Sequence, residues 1–303
     1  MKKTTTLGVG FTWQPGLQAA LGRGWELLDF VEISPDVLCR ESMAAGGRRL
    51  EYREALLAEA LRTAAERPVV IHGLGLSIGT AAGWDEEYLR ILDLFHERQP
   101  FCWHSDHLAC LTAAPQVHAG IPLPLPLTDE AIALVAPRAR ALGERYGVPF
   151  LLENITHYLP NLPTERGRDE IAFLNELTEA ADCGLLLDLY NFHCNAVNFG
   201  FDAREALSRL RLERIVEIHL AGGAAHDGFL TDVHTREVPE PVWELLEWIA
   251  PRAPNLAGIV YEVMEQAVPR LGPARLTAQL ERVRAVWEAR AAMKSERSAH
   301  AAR

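Results

Sequence analysis

The chain has 303 residues, 49% of them hydrophobic and 23% charged, with a formal net charge of −11 at pH 7. This fits a globular protein with one large core and disfavours non-specific attachment to nucleic acid or anionic membranes, since both attract positive surface. The polar start, 1–6, leads into no signal-like segment, no run approaches the roughly 18 apolar residues of a membrane span, and the five cysteines form no CxxC pair. A cytoplasmic protein without a disulfide scaffold or thiolate metal site is expected.

Short apolar runs alternate with helical stretches along the chain. The first two strands are predicted at 7–12 and 30–34. A helix follows at 50–66, where Leu56, Leu57, Ala60, Leu61 and Ala64 form an apolar stripe. Strands at 68–72 and 101–105 flank a helix at 84–96. A helix at 129–146 contains Pro137 and precedes a strand at 149–153. A helix at 169–181, a strand at 184–188, a helix capped by Asp202 and a strand at 214–219 come next. A helix at 240–249, a strand at 258–262 and a closing helix at 273–292 complete the series; Leu276, Leu280, Val283 and Val286 share one face of the last.

Runs such as VVIH, PFLLE, GLLLD and RIVEIH lack the half-polar alternation of exposed antiparallel strands and read as strands buried on both faces. Eight strands separated by helix-length crossovers predict a single-domain α/β protein, a (β/α)8 TIM-like barrel over 1–292, with a disordered tail at 293–303. An open doubly wound sheet is the alternative. It would carry a glycine-rich loop after the first strand, and FTWQPG is not one. The longest insertions, 35–49, 106–127, 154–168 and 221–239, all leave the carboxyl ends of strands, the face that carries the active site in such barrels. The proline-rich segments 121–126 and 159–163 are stiff and are expected to wall a substrate cleft.

Seven of the eight runs close on a group able to bind a metal: Glu32, His72, His104, Glu153, Asp188, His219 and Glu262. Buried carboxylates need a partner, and these strand ends carry no lysine or arginine. Nine of the eleven histidines fall on the same predicted face: His72, His104, His107, His118, His157, His193, His219, His226 and His234. Mixed imidazole and carboxylate donors suit iron, manganese or zinc, and their number exceeds one octahedron. Spacing alone leaves open which of His104 and His107 turns inward. It also leaves open whether Asn154 and Asn191 are ligands or backbone caps. Glu32 is a candidate for metal binding or substrate positioning, and Glu32, His104 and His226 are candidates for moving protons.

Several segments, in this order, resemble the multinuclear iron-dependent oxidative enzymes: VEISPD, HGLGLSIG, SDHLAC, LLENITHYLP, LLLDLYNFHCNAVNFG, EIHLAGG and TDVHTREVPEPVW. The resemblance spans nearly the whole chain. It implies a TIM-like barrel holding two or three iron ions of mixed ferrous and ferric state, with dioxygen as co-substrate. It places ligands at His72, His107, Glu153, Asp188, His219, Asp232, His234 and Glu262, with Asn191 or His193 completing the set. It implies oxidation of a cysteine, or otherwise an aspartate or asparagine, in a ribosomally made precursor peptide, and a small partner protein that recruits the leader. Two rival readings remain. A divalent-metal hydrolase or isomerase would gather the same residue types, although DNA cleavage calls for a basic rim and sugar isomerisation for a lysine near the metals. A non-catalytic binding subunit would not need so many intact carboxylates.

Overall fold

The structure is a computed structural model that describes residues 2–44, 47–114 and 117–301. Strands β1 (Gly8–Thr12) and β2 (Phe30–Ile33) belong to a barrel, while β3 (Cys39–Ala44) and β4 (Gly47–Tyr52) form a hairpin beyond it. β5 (Val69–Gly73) and β6 (His104–His107) rejoin the barrel, and β7 (Ala109–Ala114) and β8 (Val117–Pro124) form a second hairpin. β9 (Phe150–Glu153), β10 (Gly184–Asp188) and β11 (Ile215–Leu220) continue the barrel. A third hairpin, β12 (Ala224–His226) with β13 (Phe229–Thr231), precedes β14 (Gly258–Tyr261). The eight barrel strands are all parallel, and β1 closes the ring by pairing with both β2 and β14. The expected (β/α)8 barrel is therefore the fold, in one domain.

The surrounding helices are α1 (Leu17–Leu21), α2 (Glu54–Glu66), α3 (Glu86–His96), α4 (Asp129–Tyr146), α5 (Glu170–Ala181), α6 (Leu189–Phe199), α7 (Ala203–Leu207), α8 (Glu240–Ile249) and α9 (Val268–Ala301). The predicted helix at 50–66 starts only at Glu54, because Leu50 and its neighbours pair with β3. The predicted strand at 101–105 shifts to His104–His107. α6 occupies what reads in the sequence as a loop. Asp188 ends β10 and at once caps α6, its side chain accepting from the Asn191 amide at 2.6 Å, so no turn residue marks the boundary. The tail expected at 293–303 lies partly outside the described residues, and the backbone of α9 reaches Ala301. Among the described residues no helix is long and apolar enough to cross a membrane.

Side chains alternate in and out along the strands, with a register shift where β10 meets β11 that lets both Val216 and Glu217 face inward, and the barrel interior divides into a floor and a mouth. Phe30, Val70, Trp103, Leu151, Leu186, Val216 and Val260 fill the floor. Phe30 packs edge-on against Trp103, with ring centroids 5.8 Å apart. Gly10 and Gly258 make room for it: a Cβ at either position would lie under 3.0 Å from the Phe30 ring. Two residues farther along β2, β5, β9, β10 and β14 the inward positions are Glu32, His72, Glu153, Asp188 and Glu262.

Candidate metal centre

The strand register brings these inward groups together at the carboxyl end. His107 lies opposite Glu153, and Asp188 lies opposite His219. His72 Nε2 and His107 Nε2 stand 3.2 and 3.4 Å from the same Glu153 oxygen, Oε2. His219 is bracketed, with Nε2 2.8 Å from Glu32 and Nδ1 3.0 Å from Glu262. The other Glu262 oxygen lies 3.3 Å from His234 Nδ1, and His234 Nε2 touches Asp232. Among the described residues, four sets of donor atoms each fall within 4.8 Å of one another: His72, His107 and Glu153; Glu153, Asp188 and His219; Asp188, His234 and Glu262; and Glu32, Glu217 and His219. Glu153, Asp188 and His219 each belong to two sets, so the sets form one continuous cluster.

Hydrogen bonding around the cluster fixes which atoms face it. The Ser105 hydroxyl donates to the Ile71 carbonyl, so it must accept from His72 Nδ1 at 3.1 Å. That puts the proton on Nδ1 and leaves the Nε2 lone pair facing Glu153. Burial, reinforced by His107 and His219, lowers the His72 pKa well below its ordinary value, so the ring is neutral. Two lone-pair atoms 3.2 Å apart repel unless a proton or cation lies between them. Glu153 Oε2 and Asp188 Oδ2 are both buried without a hydrogen-bond partner. Such atoms are costly unless something satisfies them. No arginine or lysine among the described residues ion-pairs with these carboxylates. The donor set therefore fits divalent or trivalent cations of borderline hardness, and more than one of them.

The electrostatics agree. Burial raises Glu32, lifts Asp188 to about 7 against the pull of His234, and pushes Glu153 well above the carboxylate range despite His219. Burial also lowers His107. For His219 and His234 burial opposes the charged ring, but Glu32 and Glu262 around the first, and Asp232 and Glu262 around the second, outweigh it. The same two imidazoles hold Glu262 well below its usual value against burial. The mouth thus carries charge that only close opposite charge sustains.

Eight of the residues singled out from the sequence meet here directly: Glu32, His72, His107, Glu153, Asp188, His219, His234 and Glu262. Asp232 adjoins them through His234. Asn191 stands beside them as a donor, its amide nitrogen 3.4 Å from Glu153 while its oxygen accepts from Thr156. Asn154 bonds the Asp188 backbone in both directions and is a backbone clamp.

Three histidines named from the sequence fall outside the donor sets. His104 is three residues from the inward His107 and so faces the helices, where it packs among Tyr88, Tyr146 and Phe150 and burial lowers it to about 3. His226 sits on the third hairpin with its side chain 79% exposed, beside Asp227. His193 lies half-buried on α6 and contributes to none of the donor sets. The His118 side chain lies outside the described residues.

Glu217 is a member of a donor set that the sequence reading missed. It is fully buried, Trp103 Nε1 donates to it at 2.7 Å, and burial, with Glu32 beside it, raises it to about 8. The signal was available: in RIVEIH a glutamate precedes His219 by two, so both turn inward.

A family model described as RiPP precursor modification enzyme MbnB/TglH/ChrH matches residues 7–288. Over 276 residues the chain is 34% identical to a UPF0276 protein of Caulobacter vibrioides, covering 91% of this chain and 92% of that one. Among solved structures it resembles an endonuclease IV from Thermus thermophilus, with a TM-score of 0.52 at 18% identity over 92% of this chain and 98% of the other. It also resembles L-ribulose 3-epimerase, with a TM-score of 0.55 at 13% identity over 99% of each. At these identities the structural likeness is one of fold.

Proposed function

Because the chain belongs to the MbnB/TglH/ChrH family of RiPP precursor modification enzymes, the multinuclear iron-dependent oxidative enzymes, we propose that it uses two or three iron ions and dioxygen to oxidise a side chain of a ribosomally made precursor peptide. Cysteine is the first choice of target, and aspartate or asparagine the second. The observation that carries this reading is the opposed lone pairs of His72 and Glu153 within a cluster whose donor sets share Glu153, Asp188 and His219. His72, His107 and Glu153 would hold one ion. Asp188, His234 and Glu262, with Asp232, would hold another, and the set of Glu153, Asp188 and His219 overlaps both, through Glu153 and Asp188. Iron bound there supplies the redox chemistry, with dioxygen as electron acceptor.

The chain's own residues orient and guard. Ser105 presents His72 with Nε2 free, and Asn191 steadies Glu153. Glu32, fully buried beside the Thr12 hydroxyl, is the group that holds a proton at His219 Nε2. Apolar strands below exclude water from the floor. A small protein that recruits the leader is the expected partner.

Metal analysis of anaerobically purified protein, with mass measurement of a candidate peptide incubated with and without dioxygen, tests the reading. At least two irons per chain and a dioxygen-dependent mass change support it. A single tightly held zinc, with no iron after reconstitution, favours a hydrolase or isomerase instead.

A further inference from the structure

Beside the cluster, on the same face of the barrel, a cavity of about 510 Å³ opens between the loop after β9 and helices α5, α6 and α7. Its apolar wall includes Ile155, Phe173, Phe192 and Phe199, and its rim carries Leu159 and Phe201, which are 49% and 38% exposed. The size suits a few side chains of a ligand, and large apolar groups left open to solvent mark binding surfaces.

The polar groups of the cavity are unevenly paired. Arg168 is held by Asp129 and Glu176, and Arg209 by Asp169. Glu170 has one long contact, 3.4 Å from the Asn195 amide. No arginine or lysine among the described residues ion-pairs with Glu170, Asp202 or Glu205. Both cations are thus spoken for. Glu170 is left without a cation beside the aromatic walls, while the exposed Glu205 and Asp202, the latter capping α7 by accepting from the Glu205 amide at 2.8 Å, add negative charge near the opening. Asn154 forms part of the inner wall, directly follows the cluster residue Glu153, and clamps the backbone of Asp188. The inner wall of the cavity therefore adjoins the backbone that carries Glu153 and Asp188.

We propose that this cavity docks a segment of the precursor peptide, outside the modified residue, that carries apolar side chains and a positive charge. The occupant as a peptide rests on the function proposed above; the preference for apolar and cationic groups rests on the cavity alone.

Fluorescence anisotropy of labelled probe peptides on the full chain tests it, with chelator present and absent. The probes are GLFLKAG, its charge-reversed counterpart GLFLEAG and a polar control, GSNSKAG. GLFLKAG is expected to bind roughly tenfold more tightly than either of the others, the worth of one hydrogen bond to a charged group. The preference should persist with chelator, and Glu170→Gln should abolish the difference between the charge pair. Leu159→Ser and Phe201→Ser, both at the exposed rim, should weaken GLFLKAG while preserving the circular dichroism melt. Equal binding of the three probes, loss of binding on chelation, or charge discrimination that survives Glu170→Gln would overturn the proposal. Because this readout involves neither iron nor oxidation, a failure of the redox reading leaves its outcome unaffected.

Discussion

The floor and the mouth of the barrel are built from the same strands yet obey opposite rules. Phe30, Val70, Leu151, Leu186 and Val260 point inward at the floor; two residues on, Glu32, His72, Glu153, Asp188 and Glu262 point inward at the mouth. The floor buries apolar area and stabilises the fold. The mouth buries carboxylates and lone pairs that the protein itself leaves unmet, and so costs stability until a cation arrives. Glu217 lies at the boundary, an acid at floor depth tied to Trp103.

The largest expected effect comes from breaking the mouth. Glu153→Gln or Asp188→Asn removes a donor shared by two sets and should cut metal affinity by more than about 100-fold. Metal titration checks this, and the metal-free variant should be at least as heat-stable as the parent, because an uncompensated buried carboxylate is gone. Breaking the floor should do the reverse. Phe30→Ala should cost about 3–5 kcal/mol of stability in denaturant melts, with metal stoichiometry retained in the fraction that folds.

How far the sequence foretold these two regions follows from the period of a strand. Apolar runs ending in Glu, His or Asp were visible because the floor and the mouth repeat on alternate residues, and the inward ligands could be named from that. The choice between His104 and His107 could not be made, because the strand begins three residues later than the apolar run suggests. Glu217 hid inside an apolar run, and Ser105 hid because its role depends on the carbonyl of a neighbouring strand. The helix after Asp188 was missed since the capping side chain is itself a cluster residue. The hairpins follow strand ends with no periodic signal strong enough to separate them from loops.

Smaller perturbations sharpen the contrast. Ser105→Ala frees the His72 ring to change tautomer and should lower metal affinity roughly 10- to 100-fold while leaving the floor intact; a calorimetric titration reads it. The next test is in pH. Asp188 is raised to about 7, and Glu153, His219 and His234 are also raised. A raised folded-state pKa gives stability that is full below the unfolded value and lost as pH climbs through the folded one. Below about pH 6.5 the lowered His72, His104 and His107 oppose this loss, because they gain stability as pH rises toward the unfolded histidine value. The metal-free protein should therefore lose stability as the pH climbs above about 6.5, and Glu262, which is lowered, adds nothing in that window. Because cations bind the deprotonated donors, the rise in melting temperature on adding iron should grow over the same range. The smallest effect is expected at the exposed hairpin: His226→Ala should leave metal content and turnover unchanged.

Opposed donors at the mouth are proposed to share several cations. Anomalous diffraction at the iron edge, from crystals grown anaerobically with ferrous salt, tests it most directly. Two or three peaks bounded by His72, His107, Glu153, Asp188, His219, His234 and Glu262 are predicted. No peak there, with Glu153 and Asp188 instead neutralised by protons or arginine side chains, would contradict it.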